Sequence, residues 1–171
     1  MWLEPELFRT VVAAAPLVAI DLLLRDGQGR VLLGRRRNRP AQGCWFAPGG
    51  RIRKGERLDE AFARIAREEL GLALRRQEAR LLGVDEHFYE DSVFGPAGQG
   101  PTTHYVVLVH GLDWPGGDVP GAAAPGQHDA LRWWPAEALA ADPGVHPHTR
   151  TYARLLRPGA WPILKQGEPT T

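Results

Sequence analysis

The sequence predicts an α/β (α+β) fold, a mixed β-sheet with a few helices packed on it. Strand-length apolar runs recur along the chain, one amphipathic segment has helical period, and Gly and Pro concentrate in the connections between them. Residues 16–24, PLVAIDLLL, form the first strand. A turn at 25–29 and the run 30–34 complete a hairpin. The basic loop 35–39 leads through Pro40 and Gly43 to Trp45-Phe46 and then Pro48-Gly49-Gly50, where a sharp backbone turn is expected. From Glu56 to Leu70 the spacing of Leu58, Ala61, Phe62, Ile65 and Ala66 predicts a helix. Gly71 stands where its C-terminus needs a left-handed residue. Strands follow at 80–89, 102–112 and 129–134, separated by Gly/Pro loops at 94–101 and 113–127, and helical segments at 135–141 and 147–157 close the domain.

With 171 residues and 18.9 kDa the chain fits one domain, expected over 1–157, with 1–15 as an N-terminal extension and 158–171 as a tail. Hydrophobic residues at 43% and charged residues at 24% exclude a disordered or collagen-like chain. A net charge of +1 excludes a general polyanion-binding balance, although all the basic residues except Lys54 and Lys165 are Arg. Partners are therefore sought in local clusters. One cysteine, Cys44, rules out an internal disulfide and a cysteine-rich zinc site, which fits a reducing cytoplasm. The N-terminal stretch has early acids and Asp21 late, unlike a signal peptide, and no run reaches membrane-spanning length.

Two carboxylates stand where apolar residues are expected. On a helical wheel of about 100° per residue, Glu69 falls at about 20°, inside the arc of Leu58, Ala61, Phe62, Ile65 and Ala66. A buried carboxylate needs a cation, a basic side chain or water. Arg64 lies on another face and is placed to pair with Glu68, so Glu69 awaits a metal or another basic side chain, or solvent if the stripe ends before Gly71. Asp21 interrupts the first strand in the same way. Either that strand is an edge with one open face or Asp21 points into a pocket.

Gly50, Glu56, Arg64 and the run Glu68-Glu69-Leu70-Gly71-Leu72 resemble the Nudix box, G-x5-E-x7-R-E-U-x-E-E-x-G-U with U aliphatic. Fixed residues over such a span form a specific signal. The resemblance implies a Nudix-type α/β/α sandwich around a mixed sheet, with a loop-helix-loop that holds a divalent cation and a diphosphate. The box has Glu after Arg, whereas this chain has Ile65, which puts ordinary phosphorus–oxygen cleavage in doubt. The GDP-mannose mannosyl hydrolases share that change. Likeness to them extends through Phe8–Val12, Pro16–Val18, Leu33-Gly34, Asn38–Gly43, Trp45-Phe46, Pro48–Arg51, His87–Tyr89, Thr102–Val107, Gln127–Asp129 and Arg132-Trp133. Glu68 is a departure, because that subfamily can lack an acid there.

The resemblance implies attack of water on the anomeric carbon of GDP-mannose, or GDP-glucose, with inversion and release of GDP. With Mg²⁺ (Mn²⁺ as a substitute) and arginines neutralising the leaving diphosphate, one base suffices. His128 takes that role by resemblance. Gly49 through its backbone oxygen, Glu69 and Gln127 become the metal ligands, with Glu68 as an additional candidate. Adjacent Gln127 and His128 can both serve one site only where the strand is irregular. Arg36, Arg51 and Arg64 fall to the diphosphate, Tyr105 donates to the same charge, Asp21 and His87 contact sugar hydroxyls, and the guanine lies near Phe8 and the 36–42 loop. Each has a plainer reading: His128 as a satisfied histidine, Arg36 as part of a solvated loop, Arg51 as a turn residue, Arg64 as the partner of Glu68.

His104, His110, His146 and His148 lack the acidic or cysteine company of a metal site and read as structural. The Arg35–Arg39 cluster lacks the aromatic interleaving of nucleic-acid binders, so neither nucleic acid nor membrane is an expected partner. A homodimer whose N-terminal segment reaches its partner is implied by the resemblance. Two other functions stay open: a conventional nucleotide-sugar pyrophosphohydrolase releasing GMP and sugar 1-phosphate, and a non-catalytic nucleotide-sugar binder.

Overall fold

A computed structural model describes residues 3–114, 128–157 and 161. In order, the elements are α1 (Pro5–Ala14), β1 (Leu17–Arg25), β2 (Arg30–Arg36), β3 (Trp45–Phe46), β4 (Gly49–Arg51), α2 (Leu58–Leu70), β5 (Arg80–Tyr89), β6 (Thr103–Asp113), β7 (His128–Pro135) and α3 (Pro147–Thr151), with 3₁₀ turns at Arg76–Glu78 and Tyr152–Leu156. The strands form one seven-stranded mixed sheet in the order β3-β2-β1-β6-β5, with β4 added on β1 and β7 on β2.

β1 is central, which explains its continuous apolar run. It pairs in parallel with β6 from Leu17↔Tyr105 to Arg25↔Asp113, while β4 lies antiparallel on its other side. Both faces are covered, as in a buried parallel pair. Ile20, Leu22 and Leu24 face α2 with Phe62, Ile65 and Ala66. Leu23, with Val31, Leu33, Val107 and Val109, faces the opposite core of Trp134, Leu139 and Tyr152. The edge-strand alternative for Asp21 is thereby excluded.

α2 forms where the periodicity places it, two residues shorter at its start. Glu60 accepts the backbone N–H of Arg57 at 2.8 Å, and Gly71 closes the helix at φ 69° while its N–H returns to Arg67.

Several expectations change. The hairpin is a brief pairing at Arg25↔Val31, because β1 spends its remaining length on β4 and β6. The sharp turn expected at Gly49-Gly50 is instead short strand: a Cβ on Gly49 would collide with Asp21 Oδ1, and one on Gly50 would stand 3.2 Å from Ile65. These glycines allow close approach of backbones. Segment 135–141 is a run of i→i+3 turns rather than a helix, being too short between Pro135 and Pro143 to propagate. α1 was not foreseen; Pro5 at its first turn and the spacing of Phe8 and Val12 are its signals.

Candidate active site

β1, β4, the last turns of α2, and the inner ends of β2, β5 and β6 enclose a cleft of about 570 Å³. Its wall includes Phe8, Asp21, Arg36, Gly49, Arg51, Arg64, Glu68, Glu69, His87 and Tyr105. These residues are far apart in sequence, and the sheet register joins them: Asp21 lies opposite Gly49, and Tyr105 stands on β6 opposite both Leu17 and His87.

Glu56 and Arg64 fasten the loop to the helix. Arg64 Nε and Nη2 donate to Glu56 at 2.6 and 2.8 Å, Nη1 donates to Glu68 at 2.8 Å, and Nη2 also reaches the Arg51 carbonyl at 2.9 Å. The Arg64 hydrogen bonds hold the Glu56 carboxyl down at about 2. Arg64 therefore borders the cleft with its donors engaged in holding β4 against α2. The expected Arg64–Glu68 pair is present; the tie to Glu56 was not anticipated.

Arg36 and Arg51 differ from Arg64, since neither forms an ion pair among the described residues. Arg36 Nε is buried without a hydrogen-bond partner among the described residues, and its guanidinium lies 5.4 Å from the Phe46 ring centroid. Arg51 stacks on Phe8 at 3.9 Å, and burial lowers its pKa. A buried guanidinium nitrogen with no acceptor is costly, so this wall is prepared for an anion. The Tyr105 hydroxyl belongs to the same wall, its pKa raised by burial and lowered in part by Arg36 and Arg51.

Glu69 is 3% exposed at the end of α2, and His128, 5% exposed, donates from Nε2 to its Oε2 at 2.7 Å. The ring fits because residue 34 is glycine, where a Cβ would collide with the imidazole. His128 Nδ1 is buried without a partner among the described residues. His128 thus stands behind Glu69 and outside the cleft lining. The register of β7 slips on β2 just past this residue, Arg36 facing His128 and Arg35 facing Ala130, so the strand is irregular at residue 129. Gln127 lies outside the described residues.

The oxygen chemistry fits a hard cation. Glu68, Glu69 and Gly49 all line the cleft, and carboxylates with a main-chain carbonyl are the donor types such an ion takes, although the Glu68 oxygens accept from Arg53 and Arg64 and Glu69 Oε2 from His128. Among the described residues no cluster of three or more His, Cys, Asp or Glu has a metal-binding arrangement. The fit therefore rests on two carboxylates and the main chain.

Asp21 is buried, and burial raises its pKa to about 7 against the Tyr152 hydrogen bond and Arg36, which lower it. Tyr152 Oη donates to Asp21 Oδ2 at 2.6 Å and lies 3.0 Å from His87 Nε2, and Tyr89 Oη is 3.4 Å from His87 Nδ1. Burial also lowers His87 to about 3, so its ring is neutral. His148 stacks on it at 4.4 Å. Tyr152, Tyr89 and Gly34 are site residues that the sequence reading missed. No local pattern marks Tyr152, which meets Asp21 from 131 residues away.

His110 is structural, with Nδ1 on the Leu108 carbonyl at 3.1 Å and its ring against Phe62. His104 stacks on Phe88. No helix among the described residues is long and apolar enough to cross a membrane.

Comparison with known proteins gives the same frame. The chain is 47% identical over 85 residues to the low-salt glycan biosynthesis protein Agl8 of Haloferax volcanii, covering 50% of this chain and 53% of that protein. It is 33% identical over 104 residues to the ADP-ribose pyrophosphatase of Methanocaldococcus jannaschii, covering 61% and 54%. The aligned segments thus span about half the length of these relatives. A MutT NUDIX hydrolase from Burkholderia pseudomallei superposes with a TM-score of 0.63 at 31% identity, over 81% of this chain and 96% of the other. The NUDIX domain model matches residues 15–155, most of the chain, so the loop, helix and cleft described above are those of a member of the NUDIX domain family, to which this protein belongs.

Proposed function

We propose that this Nudix hydrolase cleaves a GDP-hexose, GDP-mannose first and GDP-glucose second, into GDP and free hexose. The observation that carries the reading is Ile65. It is fully buried against Gly50 and the α2 core, so the position that holds an acid in the general box sends no carboxylate into the cleft. An imidazole, His128, lies instead against Glu69. The likeness to a glycan biosynthesis protein supports a nucleotide-sugar substrate.

In this reading a water oxygen attacks C1 of the hexose, the C1–oxygen bond breaks, and its electron pair leaves on the β-phosphate of GDP. The water's proton passes to His128. Because Nε2 carries the proton it donates to Glu69, that role requires the neutral ring to hold its proton on Nδ1 instead and the bare Nε2 to leave Glu69 for the attacking water. Arg36 and Arg51, which form no ion pair among the described residues, meet the charge growing on the diphosphate, with the Tyr105 hydroxyl beside them. Arg64 holds β4 in place for both. Asp21 faces the sugar hydroxyls, and Phe8 with the 36–42 loop borders the base.

Nudix hydrolases generally use divalent metal ions. Mg²⁺ is proposed here, held by Glu69, Glu68 and the Gly49 carbonyl together with Gln127, with Mn²⁺ able to replace it. Such an ion supplies charge neutralisation on the diphosphate. A cytoplasmic homodimer completes the proposal, with the oligomer checked by sedimentation.

The test is a product assay on a panel of GDP-hexoses with and without Mg²⁺, separating nucleotides and sugars by chromatography. GDP and free hexose, formed only with metal, are expected. GMP and hexose 1-phosphate would replace this reading with conventional pyrophosphate cleavage, the activity named for the Methanocaldococcus relative. Tight binding without turnover would leave a nucleotide-sugar binder.

A further inference from the structure

Asp21 sits in the most apolar strand of the protein, between Ile20 and Leu22, which are fully buried. An apolar residue there would cost less, so a carboxylate in this place needs a use. Its two oxygens are differently engaged. Oδ2 accepts from Tyr152, whereas Oδ1 has no hydrogen-bond partner among the described residues and lies against Gly49, both residues lining the cleft.

Counting protons gives the chain of bonds a direction. Tyr152 has one hydroxyl proton and gives it to Asp21 across 2.6 Å, so its oxygen accepts from His87 Nε2–H at 3.0 Å. A neutral His87 then has a bare Nδ1, which accepts from the Tyr89 hydroxyl at 3.4 Å. Both ring nitrogens are thereby used. His87 is left with none for a sugar hydroxyl, although the sequence reading gave it that contact. Every member of the relay is buried, and Tyr152, fully so, is brought there by the 3₁₀ turn that follows α3.

We propose that Tyr152 and His87 are positioning residues that lock Asp21 in one rotamer, leaving Oδ1 as the acceptor that reads the configuration of a hexose hydroxyl. The inference rests on the proposed GDP-hexose reaction and adds to it the source of its sugar selectivity. Epimeric hexoses place a hydroxyl on one side of the ring or the other, so a fixed acceptor favours one epimer and a loose acceptor does not. A merely structural relay would change stability and leave the choice of sugar alone.

The experiment compares wild type with Tyr152→Phe, which removes the hydroxyl and keeps the ring, by measuring kcat and KM for GDP-mannose and GDP-glucose and inhibition by GDP. The ratio of the two kcat/KM values is expected to fall toward unity by about tenfold, the order of one net hydrogen bond, while inhibition by GDP is unchanged. If Tyr152→Phe does not fold, His87→Gln and His87→Phe take its place. Gln retains an N–H for Tyr152 and is expected to keep most of the selectivity, which Phe loses. A wild-type ratio in Tyr152→Phe, or in His87→Phe, overturns the inference and leaves the GDP-hexose reading intact. A wild-type enzyme that frees no hexose from either substrate overturns both.

Discussion

His128 Nε2 meets Glu69 Oε2 at 2.7 Å, and the imidazole occupies the space that a side chain on residue 34 would fill. The two residues are separated by 59 positions and joined by the stacking of β7 on β2 and of α2 on the sheet. In the proposed reaction this imidazole takes the proton. His128→Gln should lower kcat by about 10²–10⁴-fold, the usual weight of a general base, with GDP inhibition retained. Gly34→Ala should mimic it by displacing the ring. Steady-state kinetics on both variants is the check, and wild-type kcat in His128→Gln would remove His128 from the mechanism.

The anion wall gives a second expectation. Arg36 Nε has no acceptor among the described residues, so substrate phosphate is the partner that would satisfy it. Arg36→Ala should lower kcat/KM by about 10²–10³-fold, as expected for loss of one oriented donor to developing charge. Arg36→Lys should recover little, because an ammonium lacks the planar fork. Thermal stability should hold or rise in Arg36→Ala, since a half-buried cation with a buried Nε lacking an acceptor among the described residues has been removed. A fall in stability with full activity would assign Arg36 to the fold.

Asp21 predicts a pH signature. Burial raises its pKa in the fold from 3.8 to about 7, so the native state binds a proton more tightly than the unfolded chain does. Its contribution to stability is therefore complete below pH 4, declines as pH rises through 7, and is flat above that. Asp21→Asn, whose amide oxygen still accepts from Tyr152, removes this dependence. The difference in melting temperature between variant and wild type should grow from pH 4 to pH 7.5 in favour of the variant, while turnover is lost. Parallel melting curves across that range would contradict the assignment.

Ile65 supplies a fourth. It is buried in the α2 core and packs on Gly50. Restoring the acid of the general box by Ile65→Glu puts a carboxylate among Ile20, Phe62 and Ala66, and should cost on the order of 3 kcal/mol or more without creating pyrophosphohydrolase activity. Chemical denaturation together with a product assay tests both halves. A stable variant that releases GMP would show that residue 65 faces the chemistry.

Much of this was legible in the sequence because it depends on local period. The stripe of α2, the left-handed Gly71 and the misplaced Glu69 follow from spacing alone, and the box residues gave the family. What escaped depends on contacts between distant segments. Gly49 and Gly50 looked like turn residues, yet they serve the close approach of β4 to β1 and α2, which nothing in a Pro-Gly-Gly run reveals. Tyr152 lies within the helical segment expected at 147–157, where nothing local marks it; its hydroxyl acquires meaning only when the 3₁₀ turn after α3 reaches β1. His87 could be assigned to the cleft, but whether its nitrogens were free was settled by Tyr89 and Tyr152 on either side.

Hydrolysis of GDP-mannose in ¹⁸O-labelled water reads the broken bond directly. Label recovered in the hexose, with none on GDP, is the outcome expected for attack at C1 by water beside a buried Ile65. Label on a phosphate, in GMP or hexose 1-phosphate, would mean that water attacks phosphorus in this cleft as in a conventional pyrophosphohydrolase.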